Sequence, residues 1–316
     1  MCSSDLRLHD IWSNGARESM AIAARRGLPY VISPEGNLQR STLRQRRFRK
    51  RAAMWLYARR GWLGAVAYHA TSQEEAADLR GLKLPQPVVI IPNGVAPYEG
   101  LGRRIGASGP LGELLRGLQH RRLAVSVSRI SPEKGILMLL EAWQAVRPAG
   151  WTLVLAGNDF GGHLRQVQRR IAALALGDLV QYAGAVSDEE KHGLYEQAEL
   201  CVQCSYSENF GMAIAEALAH ARPVITTTGT PWAFLERERC GWWVPAERES
   251  IAQALRHATG LSGPALRGAG ERGRVLIERD HAWLPLAKQT LAFYAWALTG
   301  CLASAKPREL SVLERA

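Results

Sequence analysis

Short runs of consecutive apolar, often β-branched residues alternate along the chain with longer amphipathic stretches. This is the pattern of strands buried on both faces between covering helices. In the N-terminal part PYVIS (29–33), AVAYHA (65–70) and VVII (88–91) read as strands, and PNGV closes that part with a turn. Beyond residue 120 the series continues with LAVSVS (123–128), WTLVLAG (151–157), LVQYAG (179–184), LCVQC (200–204), PVITT (223–227) and GWWV (241–244). Strands that alternate with helices in this way predict βαβ units and parallel sheets. Residues 96–120 are rich in glycine and lack periodicity, which predicts a linker at a domain boundary. The expected organisation is α/β, with two doubly wound domains at 1–95 and 121–285 and a C-terminal helix and tail at 286–316.

Composition agrees with a folded protein: 47% of the 316 residues are hydrophobic and 22% charged. The 40 lysines and arginines outnumber the 29 aspartates and glutamates, and the excess is uneven. No acidic residue occurs from Gly36 to Ala70, while Arg40, Arg44, Arg46, Arg47, Arg49, Lys50, Arg51, Arg59 and Arg60 crowd together there. Such a run suits an anionic partner, whether nucleic acid, the cytoplasmic leaflet of a membrane or a phosphorylated substrate, and equally suits a solvated helix with no partner. Five scattered cysteines make no disulfide framework and point to a reducing compartment. Cys201 and Cys204 have the spacing of a metal or redox pair, but LCVQC reads as a buried strand and no second pair completes a zinc site. Charged residues stand where a signal peptide would be apolar, so none is expected. The uncharged run LAFYAWALTGCLASA (291–305) is shorter than the roughly 20 residues of a spanning helix and reads as a terminal helix docked on the body.

Ligands of doubly wound sheets bind at the carboxyl ends of strands, so the loops there are the first places to look for chemistry. SRISPEKG (128–135) follows LAVSVS and precedes a helix. Arg129 and Lys134 place two cations beside a helix N-terminus, where the macrodipole disfavours them unless an anion such as a pyrophosphate lies between. Pairing with Glu133 and Asp159 on the surface is the plainer alternative. SYSENFGMAIAEALAHARPV (205–224) is the second candidate, with a helix predicted from about Met212 to Ala221. Glu216 stands among Ala213, Ile214, Ala215, Ala217, Leu218 and Ala219, and a carboxylate in so apolar a helix needs donors to offset its desolvation. Vicinal hydroxyls of a sugar would serve, unless Glu216 lies on a narrow solvent stripe. Glu208, in the loop before the helix, would face the same cleft, with the N–H groups near Gly211 and Met212.

Glu208 and Glu216, seven residues between them and the Arg129 and Lys134 loop ahead, resemble the signature of the retaining glycosyltransferases of family 4 (group 1). PYVISPEGNL (29–38), VVIIPNGV (88–95), VSRISPEKG (127–135), SYSENFGMAIAEALA (205–219) and TPWAFLERERCGWWV (230–244) resemble that family's segments in order. The resemblance spans nearly the whole chain and is nearest to enzymes that build lipopolysaccharide or other bacterial surface polysaccharide. It implies the two-domain GT-B fold and transfer of a hexose from a nucleotide-diphosphate sugar to a glycan or lipid-linked glycan. It also implies that Arg129 and Lys134 hold the donor diphosphate and Glu216 the ribose hydroxyls. Glu208, with the backbone of Asn209, Phe210 and Gly211, would hold the donor sugar beside Met212. No metal or other cofactor is expected, and Glu208 is a positioning residue rather than a nucleophile. The implied location is cytoplasmic, peripheral at an anionic inner leaflet through Arg40 to Arg51, with no nucleic acid bound.

Several departures from the family qualify this. Its members begin with a strand, a glycine-rich loop and further βα units, whereas this chain opens at LRLHDIWS, so the first domain is expected to be incomplete and transfer weak. Glu35 stands where relatives carry histidine or another basic residue, Cys204 where proline is usual, and Ala221 where glycine is common. Rival readings are a nucleotide-sugar 2-epimerase of the same fold, an inactive fragment, and a basic protein that binds nucleic acid without sequence preference.

Overall fold

The computed structural model describes residues 6–8, 11–39, 59–96, 109–301, 306–307 and 310–313. Two compact units are formed, one from residues 1–94 with 283–316 and one from 95–282. The arginine run from Arg40 to Arg51 lies outside the described residues.

The first unit opens with β1 (Leu6–Leu8), α1 (Asn14–Arg26), β2 (Tyr30–Ile32), α2 (Arg59–Gly64), β3 (Ala67–Ala70), α3 (Gln73–Gly81) and β4 (Val88–Ile90). The second unit begins with α4 (Pro110–Gly117), β5 (Arg122–Val127), α5 (Ile136–Val146), β6 (Trp151–Ala156), α6 (Leu164–Ala173) and β7 (Val180–Gly184). It continues through α7 (Asp188–Gln197), β8 (Leu200–Gln203), α8 (Met212–Ala219), β9 (Val224–Thr227), α9 (Phe234–Arg237), β10 (Gly241–Val244), α10 (Arg248–Gly260) and α11 (Gly263–Asp280). Two elements complete the first unit, α12 (Trp283–Leu298) and β11 (Ser311–Leu313).

The first sheet runs β1-β2-β3-β4-β11, parallel throughout except for β11, which pairs antiparallel with β4. Alternate residues serve its two faces. Tyr30, Ile32, Tyr68 and Ala70 pack under Met20, Trp62 and Leu79, while Val31, Ala67 and Val89 pack under Leu286, Phe293 and Trp296 of α12. Every strand anticipated here is present, and β1 and β11 are additions. The C-terminal helix and tail therefore belong to the first unit, and the stretch 96–120 contains α4, a helix the glycine-rich pattern did not reveal.

The second sheet is wholly parallel, in the order β10-β9-β8-β5-β6-β7. Val125, Val154 and Cys201 face one core with α8, and Ala124, Leu153, Leu200 and Val202 face the other with α5 and α10. Burial on both faces is why these strands read as unbroken apolar runs. From β5 the chain passes to β6 on one side and later returns to β8 on the other, so the order reverses between β5 and β8. A crevice opens at such a switch point, outside the carboxyl ends of the strands. Both candidate loops leave the sheet there. Among the described residues, no helix is long and apolar enough to cross a membrane.

Candidate functional site

The loop after β5 is shaped by where its backbone must go. A 3-10 turn at Pro132–Lys134 ends at Gly135, which is left-handed at φ 65° and starts α5. A β-carbon at Gly135 would run into the Cys204 carbonyl oxygen at the end of β8, so only glycine lets the two strand ends approach this closely. Tyr206 N–H then donates to the Glu133 carbonyl at 2.9 Å, and Glu208 N–H to the Gly229 carbonyl at 2.8 Å. The loops after β5, β8 and β9 are thus stitched together by backbone bonds. Side chains add to this: Thr227 Oγ1 donates to the Ser205 carbonyl, and Ser205 Oγ to Glu208 Oε1 at 2.8 Å. Trp232, fully buried, donates its indole N–H to the Phe210 carbonyl from below.

Lys134 and Glu208 meet as an ion pair across these loops, both mostly buried. Arg129 is brought to the same strand end but makes different contacts. Its guanidinium lies 5.0 Å over the Phe160 ring and 3.4 Å from Glu133, and the side chain is largely exposed. Burial disfavours the Glu133 charge, yet the Ser131 hydroxyl at 2.7 Å, backbone bonding, Arg129 and Lys134 outweigh it and hold the carboxyl below its ordinary range. The surface pairing weighed as the plainer reading is therefore present for Arg129 with Glu133. Lys134 is paired with Glu208, and Asp159 accepts from the Leu164 N–H at the start of α6 instead.

Gly211, left-handed at φ 86°, turns the loop into α8; the Ile214 N–H donates back to the Gly211 carbonyl at 2.9 Å, whereas the amides of Met212 and Ala213 come before the helix's first backbone bonds. Met212 is partly exposed at that end, whereas Phe210 is buried against Trp232, with ring centroids 5.3 Å apart. Only the backbone of Phe210 is left for a ligand. α8 ends at Ala219, two residues short of the expected end, and Ala221 beyond it is left-handed at φ 54°, the conformation glycine would adopt without strain.

Glu216 has protein donors. Lys191 Nζ lies 2.8 Å from its Oε1, and the Tyr195 hydroxyl, whose nearer acceptor is the Ala213 carbonyl at 3.2 Å, lies 3.4 Å from its Oε2, both from α7. With only 18% of its side chain exposed, Glu216 is not on a solvent stripe. Burial opposes the Lys191 charge, but Glu216 and Asp188 outweigh it and raise its pKa. Burial pushes the Tyr195 phenol well above its ordinary value, helped by Cys201 and Glu216. Lys191 and Tyr195 escaped the reading of the sequence; their signal was an i, i+4 pair on the inward side of α7. His220, next to the helix end, donates from Nδ1 to the Glu216 carbonyl at 2.8 Å, leaving Nε2 to accept from His192 Nδ1 at 2.9 Å. Cys201 and Cys204 are buried free thiols, raised to about 12 and above by burial.

Two family models match the chain: "Glycosyl transferase 4-like domain" over residues 7–94 and "Glycosyl transferases group 1" over 121–259. Together they span well over half of it. The chain belongs to the group 1 glycosyltransferases. The fold is accordingly the GT-B one, and solved structures agree. Anabaena Alr3699/HepE in complex with UDP and glucose superposes with a TM-score of 0.74 at 17% identity, over 90% of this chain and 76% of that one. WaaG, a glycosyltransferase involved in lipopolysaccharide biosynthesis, does so with 0.69 at 17%, over 90% and 84%. In sequence, the family member is 28% identical to a GDP-mannose:cellobiosyl-diphosphopolyprenol alpha-mannosyltransferase of Xanthomonas oryzae, over 63% of this chain and 50% of that protein. It is 26% identical to the lipopolysaccharide 1,2-N-acetylglucosaminetransferase of Salmonella typhimurium, over 66% and 56%. The chain spans about half the length of the curated relatives it matches.

Proposed function

We propose that this protein transfers a sugar, with retention, from a nucleotide-diphosphate sugar to a glycan or lipid-linked glycan in bacterial lipopolysaccharide or exopolysaccharide synthesis. The observation that carries the reading is the junction at the β5/β8 switch point. There, one loop supplies Lys134 and Arg129 and the next supplies Glu208 and the start of α8. Lys134 has three N–H donors and Glu208 uses one, so the ammonium can bind a diphosphate without releasing its partner. Arg129, exposed at the same strand end, adds a second cation. Glu216 takes the ribose hydroxyls, its carboxylate held in place by Lys191. Glu208 and the backbone of Asn209, Phe210, Gly211 and Met212 position the donor sugar.

As the bond from the anomeric carbon to the phosphate breaks, charge grows on the departing diphosphate, where the two cations and the α8 amides stabilise it. This is the task a bound magnesium performs elsewhere, and the reaction is proposed to need no metal. The acceptor hydroxyl attacks the anomeric carbon from the side the phosphate leaves, and its proton passes to a phosphate oxygen. The arginines from Arg40 to Arg51 attract the anionic leaflet in which a lipid-linked acceptor sits.

A panel of UDP-, GDP-, ADP- and dTDP-sugars, read by thermal shift and calorimetry, tests the site. One nucleotide is expected to bind, and Glu216→Ala to weaken it about tenfold or more, the effect of losing hydrogen bonds to a charged group. Equal binding by both proteins removes Glu216 from the ribose. Product analysis without an acceptor separates transfer from epimerisation, which alone would give a new nucleotide sugar.

A further inference from the structure

α12 covers one face of the first sheet with Leu286, Phe293, Trp296 and Ala297 turned inward. A surface helix ordinarily turns charged residues away from its core. On the outward side α12 instead carries Leu284, Ala287, Leu291, Ala295 and Leu298, at the spacings of three, four and seven that line residues up along one face. Leu284 and Leu291 are 68% and 69% exposed, and Leu298 is 47% exposed. Trp283, 56% exposed, stands at the start of the stripe, and Lys288 is the one charged residue of the helix. A helix of these 16 residues is about 24 Å long. An apolar line of that length on a charged protein is a docking surface rather than a scatter of single leucines.

Charge says what docks. Residues 1–94 and 283–316 together hold 19 lysines and arginines against 9 aspartates and glutamates, whereas residues 95–282 hold 21 against 20. Nearly all of the molecule's net charge of +11 therefore belongs to the unit that carries the stripe. No acidic residue occurs between Asp280 and Glu309. A second copy docking here would set one strongly basic unit against another. An anionic lipid surface complements both features, because cations meet the headgroups and apolar side chains enter the acyl boundary beneath. We propose that α12 is the element through which the first unit seats on an anionic membrane surface, with Leu284, Leu291 and Leu298 entering the acyl boundary and Trp283 at the headgroup level. This goes beyond the proposed transfer reaction and uses none of the nucleotide-site residues.

The test uses the full chain with phosphatidylcholine vesicles made with and without phosphatidylglycerol. Cosedimentation is expected with the anionic vesicles, weakening as salt rises. The neutral double substitution Leu284→Gln with Leu291→Gln should lower binding roughly tenfold or more by removing two apolar contacts. Brominated lipid should quench part of the tryptophan emission of the wild type, and less of it in Trp283→Phe. No binding, equal binding to both kinds of vesicle, or binding indifferent to the double substitution overturns the proposal. So does a wild-type dimer that the substitution dissociates, which would give the stripe to a second copy. The nucleotide-induced thermal shift, measured on the same double variant, should be unchanged; its presence or absence reports on the transfer reading separately.

Discussion

A single imidazole shows how far burial reaches into the behaviour of the site. His220 lies at the end of α8, its Nδ1–H committed to the Glu216 carbonyl, and its pKa is lowered to about 4. Burial is the largest cause, the bond to Glu216 opposes it, and the nearby charges of His192, Arg222 and Lys191 add to it. An ordinary histidine titrates near pH 6.5, so as pH falls the unfolded chain takes up this proton before the folded one does. The stability that neutral His220 provides is complete above about 6.5 and is lost as pH falls from there through about 4. The amount at stake is on the order of 3 kcal/mol. Urea unfolding from pH 7 to pH 4 should therefore show a decline in stability that flattens in His220→Gln; an identical slope in both proteins would remove His220 as its source. Nothing in HARP announced this behaviour, because the partners of His220 lie on α7 as well as on its own helix. Glu216 is the instructive contrast. Its place among alanines declared a need for donors, but the sequence could not say that Lys191, 25 residues earlier, already meets it at 2.8 Å.

Elements matter to the site mainly through where they end. Gly135 joins the end of the β5 loop to the start of α5 and lies directly against the last residue of the β8 run. Gly135→Ala combines a left-handed backbone unsuited to alanine with a collision against backbone, which has no rotamer by which to yield. A loss of about 2 kcal/mol or more is expected in urea unfolding. Because Tyr206 and Glu208 are registered to this loop, the nucleotide-induced thermal shift should fall as well; a stable variant with full nucleotide affinity would show that the loops do not depend on this approach. The strands themselves were legible because burial on both faces makes each a dense apolar run. β1 and β11 were not, since LRL and SVL each mix a polar residue into so short a run, and each is a strand only through its pairing with β2 or β4. α4 was hidden for a related reason: its sequence PLGELLRG places two glycines in eight residues, and Leu111 and Leu115 hold it by burial. Motif and strand end singled out Arg129, Lys134, Glu208 and Glu216 as candidates, while the pairing of Lys134 with Glu208 depends on the strand order β8-β5, which no local pattern encodes.

Across the whole chain, the path matters more than the boundaries. It builds four strands of the first unit, completes the second unit, and then returns α12 and β11 to the first. The first unit thus depends on residues nearly two hundred positions away from its other elements. α12 alone supplies Leu286, Phe293, Trp296 and Ala297 to the core under Val31, Ala67 and Val89, and β11 pairs with what would otherwise be the edge of β4. A chain ending at Ala282 would lose both at once. Burying one large apolar side chain contributes about 1.5–3 kcal/mol, so losing Leu286, Phe293 and Trp296 together removes an amount comparable with the whole stability of a small domain. The second unit loses none of its own strands or helices by this cut, as α11 ends at Asp280. Hydrogen exchange is the measurement that separates the two units. In the shortened chain the amides of β2, β3 and β4 should exchange as in an unfolded segment, while those of β5, β6 and β8 keep most of their protection. Protection lost equally in both sheets would mean that the second unit needs the first in order to fold. Protection kept in both would mean that α12 covers the sheet without stabilising it.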